Sequence, residues 1–334
     1  MSDERTLAEK PVLTVDLDGL TSGGLVALSY LSALKTGVSY HERHDRRHPL
    51  GIYNVSVSRI CEKICKCSAK LEQYFFLPPH ISEIDKHDLL RDEILDLLEL
   101  CLYAAAEHVD DVELIGLSFF ETPENFKKSP HTKALNRAVK PLRDSITSVT
   151  NAIKHQQGRL RLYTLEVNHG GIDMCLHGFY IEGFVDGAVG PSPILYENRK
   201  PISSVTSLLW SVLIYLGMIS REIGAFLEAI VAVDKSPDVP VGSIHFRDAV
   251  VALARLPLYS FDEVHPFARV RLALRSDGEI GDKIHSDIYG SIMRGWSKDD
   301  QIRFGNHRSL MAGDGVSKRF TFPLLNQLHL QHWT

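Results

Sequence analysis

The spacing of apolar residues predicts a chain built mostly from helices. Val57, Ile60, Ile64 and Leu71 recur at helical intervals between about Tyr53 and Phe75, and Pro78-Pro79 ends that element. Ser82-x-x-Asp85 has the form of a capping box. It opens a second helix with a stripe of Leu90, Ile94, Leu97, Leu98, Cys101, Leu102 and Ala105. Residues 109–129 carry no clear period and read as a connection. Ser129 then supplies an N-cap and Pro130 the first helical position of a third helix. Its seam is Leu135, Val139, Leu142, Ile146, Val149 and Ile153, Pro141 predicts a kink within it, and Gly158 a stop after it. A fourth, very apolar helix spans about Ser203 to Val233.

Between the third and fourth helices the period changes. Arg159–Val167 and Ile172–Val185 read as strands joined by Asn168-His169-Gly170-Gly171, which is turn chemistry. Near the start, Pro11–Leu17 alternates like a strand, and Leu25, Leu28, Leu31 and Leu34 form one side of a short helix closed by Gly37. After the Pro-rich stretch 236–242, the tail predicts a helix over Phe246–Arg255, a strand over Val270–Leu274 and a Gly-rich remainder. The fold class is therefore mainly α (α+β): an antiparallel helical bundle with an inserted β-hairpin and a small C-terminal α/β extension. The units expected are 1–50 (strand, helix and basic loop), 51–235 (the bundle, with its hairpin at 159–187) and 240–334 (the extension).

Composition narrows the class of protein. With 44% hydrophobic residues and a formal charge of −5 over 334 residues, the chain is neither disordered nor a histone-like polycation. The N-terminus has no basic region followed by an apolar run, so no secretory signal is expected. The longest apolar run, Leu208–Ile219, falls short of the ~20 residues of a bilayer span, so no membrane role is expected. Five cysteines, an odd number, argue against a disulfide framework and for a reducing cytoplasm. Cys61, Cys65 and Cys67 cluster, but no second ligand pair accompanies them; no metal and no cofactor is expected. P-loop, GxGxxG, HExxH and GxSxG motifs are all missing.

Chemistry concentrates at Thr150-Asn151-Ala152-Ile153-Lys154-His155. Asn151 and His155 are four apart, share a helix face, and lie opposite the apolar seam. His155 can move protons near neutral pH, Asn151 can hold a substrate oxygen, and Lys154, Arg159 and Arg161 can hold phosphate. That set suits metal-independent cleavage of RNA, where the 2′-hydroxyl is the nucleophile. Four bundle helices with Asn-x-x-x-His near a helix end resemble the HEPN superfamily. The resemblance implies a compact, usually dimeric bundle, often a ribonuclease of defence or toxin–antitoxin systems. It assigns catalysis to His155, with Asn151 positioning the phosphate or 2′-oxygen and Lys154 adding charge. The superfamily's motif is Arg-x4–6-His, often with Asn after the Arg; its Arg position is Thr150 here, with Arg143 or Arg159 as replacements. A second Arg-x4-His match, Arg43 to His48, falls in the basic loop.

Two further features are weighed. Basic tail residues, among them Arg303 and Arg308, interleave with Trp296, Phe304 and Phe320, as suits single-stranded nucleic acid. The run Val12–Leu17 followed by Asp16-Leu17-Asp18-Gly19 resembles the first motif of HAD-type phosphatases, with Gly281-Asp282 and Asp287 as a partner motif. The expected function is RNA-directed, with endoribonuclease activity as one form. The alternatives are a non-catalytic binding or dimerisation bundle and a HAD-like phosphatase using Asp16 and Asp18.

Overall fold

The computed structural model describes residues 25–35, 37–75, 84–155, 158–169, 172–193, 202–231, 242–256, 259, 261, 273–274, 280–281, 301–307 and 317–318. The expected strand at 11–17, Asp16 and Asp18, the Pro78-Pro79 break, Ser82, residues 236–241 of the expected boundary, Asp282, Asp287 and Arg308 all lie outside these residues.

Among the described residues, seven α-helices appear in the order α1 (Val26–Ser32), α2 (Pro49–Phe75), α3 (Ile84–Leu117), α4 (Pro123–Lys128), α5 (Pro130–His155), α6 (Val205–Ile230) and α7 (Ile244–Ala254). The chain is mainly α with an inserted hairpin. α2 packs on α3 and α7, α5 lies between α3 and α6, and α1 rests on α6. The apolar stripes read from the sequence meet in one cluster that includes Val57, Ile60, Leu98, Ile146, Leu213 and Phe246. Local caps match their residues. Ser129 Oγ accepts from the His131 N–H at 3.2 Å, Ser204 Oγ from the Ser207 N–H at 3.3 Å, and Ser243 Oγ from the Phe246 N–H at 3.3 Å. α5 runs through Pro141 as one helix.

One expectation is corrected. Residues 109–117 are not a connection but about two and a half further turns of α3, because Val109, Val112 and Ile115 continue its buried stripe beyond His108. α4 follows, capped by Thr122 Oγ1 at 3.2 Å from the Asn125 N–H and anchored by buried Phe126. The helices are tied by a polar centre. Ser220 on α6 is wholly buried, and its Oγ accepts from the Ala27 N–H of α1 at 2.9 Å and from the Tyr53 hydroxyl of α2 at 2.8 Å.

The hairpin is the middle of a larger sheet. β1 (Arg159–His169) pairs antiparallel along its whole length with Ile172–Glu182 of β2 (Ile172–Val185). Asp186 and Gly187, at φ 49° and 77°, turn the chain into β3 (Ala188–Pro191), an Asp-Gly turn with both central residues left-handed. β4 (Ser203–Ser204) also pairs with β2, and β5 (Ala273–Leu274) pairs with β6 (Ile280–Gly281). From the tail, β7 (Gln301–His307) joins β1 and β8 (Ser317–Lys318) joins β3.

Leu160, Leu162, Phe179 and Ile181 face the helical core, while Tyr163 on the other face meets Phe261 at a ring distance of 5.3 Å. The outer edge of β2 is closed piecemeal. β3 covers residues 182–185, the Ser192 N–H donates to the Ile181 C=O at 2.6 Å, and β4 covers 178–179. At His177 the Tyr259 hydroxyl accepts from the backbone N–H at 2.8 Å and donates to the C=O at 2.7 Å, standing where a strand would.

Candidate nucleic-acid interface

α5 presents two faces because its sequence has a strict helical period. Nine of its 26 residues are buried, the predicted seam among them. On the far side, steps of three and four residues align Lys133, Arg137, Lys140, Asp144, Ser148, Asn151 and His155. That stripe is about 33 Å long at 1.5 Å per residue. The helix holds five Lys/Arg (Lys133, Arg137, Lys140, Arg143, Lys154) against one acid, Asp144, which pairs with Lys140. Lys133, Arg137, Asn151, Lys154 and His155 are exposed. Lys154 and His155 also sit at the helix C-terminus, where the backbone dipole favours positive charge.

The corner between α5 and β1 gathers the expected residues. The Gly158 N–H donates to the Ala152 C=O at 3.0 Å. A Cβ at Gly158 would lie 2.8 Å from both the Ala152 oxygen and Ile181 Cγ2, so only glycine lets the strand begin this close to the helix end. Exposed Arg159 follows directly. Lys154 Nζ stands 4.3 Å from the centre of the Tyr103 ring of α3. The Tyr103 hydroxyl donates to Glu99. Burial and the Glu99 carboxylate push that phenol up to about 12, opposed by the nearby Arg159 guanidinium. Lys154, Arg159 and Tyr103 thus form a cationic corner with one aromatic ring. Tyr103, Glu99, Lys133 and Arg137 are not singled out by the sequence reading. The first two belong to the apolar-striped α3, and only packing brings them to α5.

The other expected residues are placed differently. Arg161 is largely buried: its Nε donates to Glu182 Oε2 at 2.6 Å, with side-chain exposures of 13% and 0%. Its guanidinium serves the sheet. Thr150, at the superfamily's Arg position, is buried, and its hydroxyl donates to the C=O groups of Ile146 and Thr147. A guanidinium there would lie inside the core. Arg143 is twelve residues before His155, about 18 Å along the helix, so Arg159 is the replacement nearer in the chain. Arg303 lies on β7, which pairs with β1. In the Arg43-to-His48 match, Arg43 pairs with Glu121, and the His48 ring stands edge-on to His41 at 5.0 Å between ring centres.

Among the described residues, no group of three or more His, Cys, Asp or Glu side chains is arranged to hold a metal ion. Cys61, Cys67 and Cys101 are buried thiols, and burial raises all three, Cys101 to about 12. α6 is long and apolar enough to cross a membrane by length and composition; here 14 of its 26 residues are buried in the bundle. The described part of the main sheet is antiparallel except where β8 meets β3. Comparisons with protein-family models, curated proteins and solved structures gave no match for this chain.

Proposed function

We propose that the outer face of α5 and the α5–β1 corner form a surface for single-stranded RNA, making this an RNA-directed, HEPN-like protein. The observation that carries this reading is the stripe itself. Unpaired cations at Lys133 and Arg137 lead to Asn151 and His155 at the other end, with Lys154, Tyr103 and Arg159 beside them. Cations spread along one face follow a phosphate backbone, and a ring next to a cation offers a base somewhere to stack.

The finer form of the proposal is cleavage without metal. The His155 imidazole takes the proton of a 2′-hydroxyl, the resulting oxygen attacks the adjacent phosphorus, and the 5′-oxygen leaves with a proton returned by the imidazolium. Asn151 holds a phosphate oxygen, and the products are a 2′,3′-cyclic phosphate and a 5′-hydroxyl. One observation favours a second reading, a bundle that binds RNA or a second copy of itself without cleaving. His155 is exposed with no side chain among the described residues orienting its ring, and the Arg position of the motif is the buried Thr150.

The test is purified full-length protein with labelled total RNA in EDTA, wild type beside His155→Ala, with binding followed by anisotropy. Cleavage by wild type alone supports the enzyme. Binding by both without cleavage supports the binding module. Neither binding nor cleavage overturns the RNA reading. A change of oligomeric state in Asn151→Ala or His155→Ala would assign the face to dimerisation instead.

A further inference from the structure

Away from α5, a cleft of about 500 Å³ opens between the start of α2, the end of α3 and the loop before α2. Its floor is apolar, formed by Ile52 and Val55 of α2 and Leu114 of α3, and Val55 is 40% exposed there. One wall is cationic. Arg46 and Arg47 line it, and neither guanidinium has a partner among the described residues; Nη1 of Arg46 is buried without an acceptor. A buried N–H left unmade is costly, and more so when it carries charge. Asp110 and Asp111 of α3 make another part of the lining anionic, while Arg59 and Glu107, also in the lining, neutralise each other.

Asp111 stands near Ser56, whose Oγ lies 2.8 Å from Nδ1 of the buried His108. Burial raises the Asp111 carboxyl above the usual range. The cleft therefore combines an unsatisfied cationic group, an apolar floor and carboxylate acceptors. A bare anion would leave the floor and the acidic wall unused. An apolar ligand would leave the Arg46 N–H without an acceptor, and a cation would meet the arginines.

We propose that this cleft binds a nucleoside 5′-monophosphate. The phosphate sits between Arg46 and Arg47, where guanidinium forks match its oxygens. The base lies on Ile52, Val55 and Leu114. The ribose hydroxyls donate to Asp110 and Asp111, as ribose diols do to acidic residues in other nucleotide sites. The volume lies within the ordinary range for small-molecule sites. This site stands on α2, α3 and the loop, so it does not rest on the reading of α5.

The experiment is calorimetric titration of the full chain with AMP, adenosine and inorganic phosphate as probes. AMP is expected to bind saturably, with adenosine and phosphate each at least about tenfold weaker. Arg46→Gln/Arg47→Gln lowers AMP affinity at least about tenfold and leaves adenosine unchanged, with an unaltered melting temperature as the folding control. Asp111→Asn weakens AMP and adenosine together. No saturable AMP binding, equal AMP binding by the double variant, or phosphate binding as tight as AMP would each overturn the proposal.

Discussion

α5 and α6 are both 26-residue helices, and they pack on one another, yet they spend their residues in opposite ways. α6 carries three charged residues, Arg221, Glu222 and Glu228, and buries 14 positions, including the serine that joins three helices. α5 buries nine, and its remaining surface holds six of the charges in the bundle, five of them positive. α6 is surrounded: α1 and α5 cover it, and the sheet touches it through β2 and β4. Among the described residues α5 packs on α3, α6 and the short α4, and its second face is exposed. Equal length and adjacency therefore say little about role; the number of neighbours that a helix must satisfy decides how much of it remains for function.

The contrast can be broken at several depths. Leu213→Ala on α6 removes a side chain that is 1% exposed, and a loss of about 2–5 kcal/mol is expected in urea unfolding. The pH dependence of stability comes next. Burial pushes the His108 imidazole down to about 4 from its ordinary 6.5, so between these values the unfolded chain holds more protons than the folded one. Stability then falls as the pH drops from about 6.5 towards about 4, by roughly 3 kcal/mol from this residue, and levels off below. His108→Leu should flatten that part of the profile, and an unchanged slope would show that other groups dominate it.

Ser220→Ala leaves the Tyr53 hydroxyl and the Ala27 N–H without their acceptor, an expected cost of about 1–3 kcal/mol. On α5 the same arithmetic gives almost nothing. Lys133→Ala/Arg137→Ala should change stability by no more than about 0.5 kcal/mol. Single-stranded RNA affinity, by contrast, should lose about 1.4 from the slope of log K against log salt, two phosphate contacts at about 0.7 each. A double variant that unfolds the protein, or that leaves the slope intact, would erase the proposed division between the two helices.

The same contrast governs what the sequence reveals. Helices with one continuous stripe were legible, as in α5, whose seam from Leu135 to Ile153 is buried throughout. α3 was cut short because His108 occupies a core position, and a polar residue in a stripe looks like its end. β3 does not stand out in the sequence although Asp186-Gly187 carries a hairpin turn's chemistry, because it is only four residues long. Of the site, the outward position of Asn151 and His155 follows from period alone. The fate of Arg161 does not: it depends on the register that sets Arg161 opposite Tyr180 and two pairs away from Glu182. The Lys154–Tyr103 contact likewise requires knowing that α3 and α5 are neighbours.

The patchwork closure of β2 has a bearing on how the chain reaches its native state. The pieces that cover this border come from residues 188–192, 203–204 and 259, and the last arrives some 80 positions after the strand it seals. A nascent chain that has formed β1 and β2 exposes open amides and carbonyls along that border until Tyr259 has been synthesised and docked. In that interval a neighbouring copy can add its own strand there. Refolding yield should therefore decline with protein concentration, and Tyr259→Phe, which keeps the ring but loses both hydrogen bonds, should steepen the decline.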